Sequence, residues 1–180
     1  IGYQAGRYTQ NNYAMSIGRE AGYLGQQSYA IALGTGAGGL RQRFASVALG
    51  YYSGYDNQNT YSTALGHQSA RFAQGSYSTA VGAQAGMSGQ KPQAVAIGYE
   101  AGMQYQNTTA ISVGYRAGKS TQGSHAIAIG GSAGESRQAN YATAIGLEAG
   151  LSGQNTFSIA LGYQAGKTGQ YDRSVAMGYQ

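Results

Sequence analysis

The 180-residue chain contains no cysteine, and this removes disulfide scaffolds and thiolate metal sites from consideration. Proline occurs once, as Pro92, and tryptophan not at all, while charged residues are only 9% of the total. Such low charge would suit a low-complexity coil, yet 42% of residues are hydrophobic, with Ile, Val and Leu at regular places. Order is therefore expected. No apolar run approaches the roughly 20 residues that cross a bilayer, and the chain starts Ile1-Gly2 without a charged-then-apolar leader, so neither membrane insertion nor a signal peptide is expected. The net charge of +5 comes from eleven dispersed Lys and Arg residues that never form a run, which argues against nucleic acid as a partner.

What is abundant is glycine, 31 residues, and tyrosine, 17 residues, and both recur at a fixed interval. Written in lines of sixteen, the chain reads IGYQAGRYTQNNYAMS, IGREAGYLGQQSYAIA, LGTGAGGLRQRFASVA and onward without insertion or deletion. Eleven coils start at residues 1, 17, 33, 49, 65, 81, 97, 113, 129, 145 and 161, with a partial coil at 177–180. Residues 1–180 are thus expected to be a single β-solenoid repeat domain, a segment of a longer fibre.

Position two of the coil is always glycine. Position five is Ala or Ser, position six is Gly except at Ala70, and positions fourteen and sixteen are only Ala or Ser. Position ten is always glutamine: Gln10, Gln26, Gln42, Gln58, Gln74, Gln90, Gln106, Gln122, Gln138, Gln154 and Gln170. Eleven amides one coil apart are expected to hydrogen-bond along the axis as a ladder; the alternative is an exposed row making surface contacts.

Sixteen residues lack the apolar spacing of a helix and suit one turn of a two-sheet parallel solenoid. Positions fourteen to two alternate small and branched residues, as in Ala30-Ile31-Ala32-Leu33-Gly34, which predicts a strand. A second, shorter strand is expected over positions four to eight, and a turn after the glutamine, where Pro92 falls.

The small residues at fourteen and sixteen face away from the branched ones at fifteen and one. Only Ala, Ser and Gly stand on the opposing segment, so a thin interior of small side chains closes well and the branched stripe is expected outside. That stripe holds Ile17, Ile31, Leu33, Val47, Leu49, Val95, Ile97, Ile111, Val113, Ile127, Ile129, Ile145, Ile159, Leu161 and Val175, the candidate oligomer interface. At about 4.8 Å per coil it covers roughly 650 Å², enough to want a partner. The alternative is a monomer with Ile and Val inside. Tyr13, Tyr29, Tyr51, Tyr61, Tyr77, Tyr99, Tyr115, Tyr141 and Tyr163 recur at positions thirteen and three as candidates for contact with a host surface or glycan.

Chemistry of other kinds is scarce. Glu20, Asp56, Glu100, Glu135, Glu148 and Asp172 never share a position in neighbouring coils, and His67 and His125 are several coils apart, each where Tyr is usual. No catalytic residue, cofactor or metal site is expected, and the chain is not expected to be an enzyme.

Ser46-Val47-Ala48-Leu49-Gly50, Ser158-Ile159-Ala160-Leu161-Gly162 and Ser174-Val175-Ala176-Met177-Gly178 resemble the Ser-Val-Ala-Ile-Gly core of trimeric autotransporter adhesin head repeats, the Yersinia adhesin type. The IGYQAG element is similar to repeats of phage and giant-virus fibre proteins. The resemblance implies a left-handed parallel β-roll, a homotrimer with the Val and Ile positions between protomers, and an extracellular, cell-surface or virion-surface location. Three functions are weighed: a structural or adhesive fibre segment that spaces or presents a binding tip, a self-assembling amyloid-like filament, and an ice-binding solenoid. The last would need a flat Thr array, and position fifteen has Thr only at Thr63, Thr79 and Thr143.

Overall fold

The computed structural model describes residues 1–179; Gln180, the end of the partial coil, lies outside the described residues. The chain is an all-β parallel solenoid of about eleven turns. Strands form where branched residues flank a small one: Met15–Ile17, Ile31–Leu33 and Val47–Leu49 begin a series that ends at Val175–Met177. These join in one eleven-stranded sheet. Every residue pairs with the one sixteen further on, as Val95 with Ile111 and Ile127 with Thr143.

The second strand corrects the sequence expectation. It occupies positions eight to ten, as in Leu24–Gln26, Phe72–Gln74 and Ser136–Gln138, whereas positions three to six are turn. Its central residue has positive φ, 52° at Arg137 and 61° at Asn57, so the two flanking residues pair with the next coil and the middle one does not follow the pleat. The first strand is also shorter than five residues. Position thirteen has φ near 60°, as at Tyr13, and position two has φ near 126°, as at Gly18, and both interrupt the extended backbone.

Main-chain hydrogen bonds run up and down the axis at nearly every position. The amide of Gly18 donates to the carbonyl of Ile1, that of Glu20 to Tyr3 and that of Gly6 to Ala21, each at 2.8–2.9 Å. Position twelve, like position three, is an exception: among the described residues none of its amides donates to a main-chain oxygen. A proline there removes nothing from the ladder, which explains why Pro92 fits while its carbonyl still accepts from Thr109 at 3.1 Å.

The interior is made of alanine methyls. Ala32 and Ala48 of the sheet pack with Ala21 and Ala37 of the opposing turn, and Ala144 and Ala160 do the same with Ala133 and Ala149, all fully buried. Such thin packing leaves no room for Cβ atoms where coils touch. A Cβ on Gly114 would lie 2.6 Å from the carbonyl oxygen of Gly130, and its equivalents from Gly2 to Gly162 meet the same obstacle, so position two must be glycine wherever another coil follows.

Candidate functional site: the amide ladder and the uncovered apolar face

The glutamine of each coil leaves the second strand and turns inward across the narrow interior. From Gln26 to Gln154 all are at most 1% exposed and are the largest fully buried side chains in the molecule. A buried amide needs partners for two N–H groups and an oxygen. Gln122 shows how they are met: its Nε2 donates to the carbonyl of Ile111 at 2.8 Å, to that of Ala126 at 3.2 Å and to Oε1 of Gln138 at 3.1 Å. Two hydrogens are thus shared among three acceptors. Its own Oε1 accepts from Gln106 at 3.2 Å and from the Ser112 hydroxyl at 2.7 Å.

Serines within the interior are satisfied locally. Ser53 and Ser69, replacing alanine at position five, donate to the carbonyls of Ala64 and Ala80 at 2.7 and 2.8 Å. Ser46, Ser62 and Ser158, at position fourteen, donate to the carbonyl three residues back. Hydroxyl and methyl interchange at these positions because each hydroxyl finds a carbonyl within reach.

The branched residues lie outside. Position one is exposed or half-buried, Ile97 being 41% and Ile129 38% exposed, and position fifteen is half-buried by its neighbours along the sheet except at Met15 and Val175 in the end strands. The alternative arrangement, Ile and Val inside with Ala outside, is thereby excluded. An apolar band follows the eleven-stranded sheet from Met15 to Met177 with no charged residue at either position.

Aromatic residues border this sheet in two columns. Tyr13 stacks on Tyr29, Tyr61 on Tyr77, Tyr99 on Tyr115 and Tyr163 on Tyr179, with centroids 5.1–5.6 Å apart and planes within 22°. His67 stacks on Tyr51, and His125 on Tyr141, which stacks in turn on Phe157. Both histidines therefore fill the ring's place in the column. Within a stack the faces are turned to one another, and ring edges and hydroxyls are what the column offers outward.

Charged residues cluster at positions four and seven. Lys119 Nζ is 2.7 Å from Glu100, and Arg116 reaches Glu135 at 2.8 Å and Glu100 at 3.5 Å. The hydrogen bond from Lys119 is the main cause that holds the Glu100 carboxyl below its ordinary range, assisted by the Tyr99 hydroxyl and Arg116. Glu148 is lowered likewise by Lys167 and Gln164. Elsewhere Arg41 pairs with Asp56 at 2.8 Å and Arg19 with Glu20 at 3.3 Å. Among the described residues no group of three or more His, Cys, Asp or Glu is placed to hold a metal ion.

Of the sequence candidates, the glutamines from Gln26 to Gln170 converge in a buried row, while Gln10 at the open first coil is exposed and stays outside the ladder; the branched residues form a single outer band, and the tyrosines divide between two stacked columns. Sequence reasoning missed the ion cluster around Glu100, although Glu100, Arg116 and Glu148 at one coil position and Lys119, Glu135 and Lys167 at another were a usable signal.

These features define a class: the all-β parallel solenoid of tandem coils, with an amide-laddered interior and an apolar sheet face left uncovered. Within that class one short stretch is similar to a known repeat family. Residues 58–85 match the family model described as the YadA head domain repeat, in two copies. The match spans Ser62-Thr63-Ala64-Leu65-Gly66 and Ser78-Thr79-Ala80-Val81-Gly82, variants of the core in which Thr takes the branched position. No curated protein and no solved structure matches the chain.

Proposed function

We propose that the protein is a structural and adhesive fibre segment, a rigid homotrimeric rod that spaces or presents a binding tip outside a cell or on a virion. The observation that carries this reading is the uncharged apolar band along the eleven-stranded sheet. Its width and length approach what one partner contributes to a standard protein interface. Three copies packed by their bands would bury it, and left-handed coiling, as the adhesin-head resemblance implies, would bring the bands together along one axis. The whole of residues 1–180 then acts as one solenoid domain.

The same reading makes the protein no enzyme. In support, Glu20, Asp56, Glu100, Glu135 and Glu148 are each engaged by a neighbouring cation, Asp172 accepts from the Thr156 amide, and both histidines are stacked on rings, an arrangement that holds no acid and base facing a common space among the described residues. Any contact with a host surface or glycan would use the hydroxyls and edges of the tyrosine columns. In support of a location outside the cell, the matched family is one of adhesin heads; no helix of the described residues is long and apolar enough to cross a membrane.

The test is the absolute mass of the purified chain by light scattering across a concentration series. A constant mass near three times 18.6 kDa is expected. A mass that rises without limit would instead make the chain a filament subunit, and a constant 18.6 kDa would remove the self-association on which the reading stands.

A further inference from the structure

The interior of the amide ladder has one break. Gln42 donates to Gln58 at 3.1 Å and Gln74 to Gln90 at 3.3 Å, but Gln58 makes no bond to Gln74. Its Nε2 is spent on the carbonyls of Val47 and Ser62, and Oε1 of Gln74 is buried without any donor. The end steps, from Gln10 and to Gln170, also lack the bond: Gln10 is exposed and Ser16 substitutes as donor to Gln26 at 2.6 Å, whereas Oε1 of Gln170, next to the partial terminal coil, is likewise buried without a donor.

Coil 65–80 differs from the rest in a way that explains the break. Position six is glycine in every other coil, with φ of 52–58°, and a Cβ there would come within 2.4–3.1 Å of the glutamine's Oε1. In this coil the residue is Ala70, with φ of 45°. By the geometry of the glycine coils, a methyl group at this position stands where the glutamine oxygen otherwise sits. The neighbouring Arg71 Nε is also buried without a partner, although its guanidinium lies over the rings of Tyr52 and Phe72 at 5.2 and 4.8 Å. Two orphaned polar atoms and one alanine in a left-handed conformation thus fall in the same coil.

We infer that the junction between coils 49–64 and 65–80 is the weakest internal joint of the solenoid, the place where the rod opens first, and that Ala70 sets it. In a solenoid each coil touches only its neighbours, so stability is close to a sum over junctions, and a junction lacking a bond is where local opening concentrates. An unpaired buried acceptor weakens that junction more than a missing bond at the surface would. The joint divides the rod into two blocks, each with an unbroken run of amides.

Amide hydrogen exchange on the full chain, native and Ala70→Gly, tests this. In the native protein, ladder amides of residues 58–74 exchange faster than those of residues 113–144. In A70G they slow by roughly tenfold while residues 113–144 are unchanged. Gly102→Ala places the same methyl 2.7 Å from the Gln106 oxygen and transfers a fast-exchanging joint to residues 90–106. Uniform exchange in the native chain, no slowing in A70G, an equal change along the whole rod, or an unaltered coil in G102A would each overturn the inference.

Discussion

Nε2 of Gln122 stands 3.1 Å from Oε1 of Gln138, sixteen residues and one coil further on, and the same contact binds Gln138 to Gln154 at 3.0 Å. Removing one amide therefore strands several others. Gln122→Leu, close in volume, leaves the hydroxyl of Ser112, the amide nitrogen of Gln106 and the oxygen of Gln138 each short of a partner. A loss of about 3–5 kcal/mol is expected, read from the denaturant midpoint. Gln10→Leu, at an exposed position with a single bond to the Ala14 carbonyl, is expected to cost less than about 1 kcal/mol.

Glycines with positive φ are predicted to differ widely in tolerance. Gly114→Ala drives a Cβ to 2.6 Å from the Gly130 carbonyl and is expected to prevent stable folding. Gly169→Ala, where nothing lies within 4 Å, carries only the left-handed backbone strain of about 1 kcal/mol. Circular dichroism and thermal melts of the two variants separate close approach from conformational strain.

The Glu100 cluster predicts a pH dependence with a definite sign. Because Lys119, the Tyr99 hydroxyl and Arg116 lower the Glu100 pKa in the folded state, its contribution to stability is present above the unfolded value of about 4.3 and is lost as pH falls through the lower folded value. Lys119→Gln raises the Glu100 pKa toward the ordinary range, as measured by side-chain NMR titration. The stability difference between this variant and the native chain shrinks as the pH is taken below that range.

Charge placed on the apolar band is predicted to separate assembly from folding. Ile97 and Ile129 are 41% and 38% exposed, so the double change to lysine leaves the interior untouched. The mass in solution is expected to fall to that of a single chain, with the circular dichroism spectrum retained and protomer stability altered by less than about 1 kcal/mol.

The repeat length, the glycine at position two and the inward face were legible because steric rules act on residue type there: only glycine fits between touching coils, and only Ala or Ser stands at positions fourteen and sixteen of the inward face. Gln122 and its counterparts stood out because an invariant polar residue among variable neighbours implies a partner one coil away. The second strand was not legible. Sequences such as Gln104-Tyr105-Gln106 and Ser152-Gly153-Gln154 show no apolar alternation, because the central residue adopts positive φ and only one side chain of the three points inward. Tyr13, Tyr61 and Tyr141 at φ of 56–60° gave no signal either, since aromatic residues are uncommon in that region and the axial hydrogen bonds impose it. Ala70 was visible as an exception, but its effect on Gln74 depends on a distance no pattern contains.

Pairing at a constant offset of sixteen, from Met15 with Ile31 to Leu161 with Met177, has an implication for how such a chain changes over generations. Duplicating or deleting one whole coil leaves every surviving residue facing the same kind of neighbour, so the molecule lengthens or shortens by about 4.8 Å without any new contact to invent. An insertion of any other size shifts glycine, alanine and glutamine out of line along the axis. Recombination between coils is thus a ruler with a single graduation, and reach can be tuned by copy number while the chemistry of the surface stays fixed.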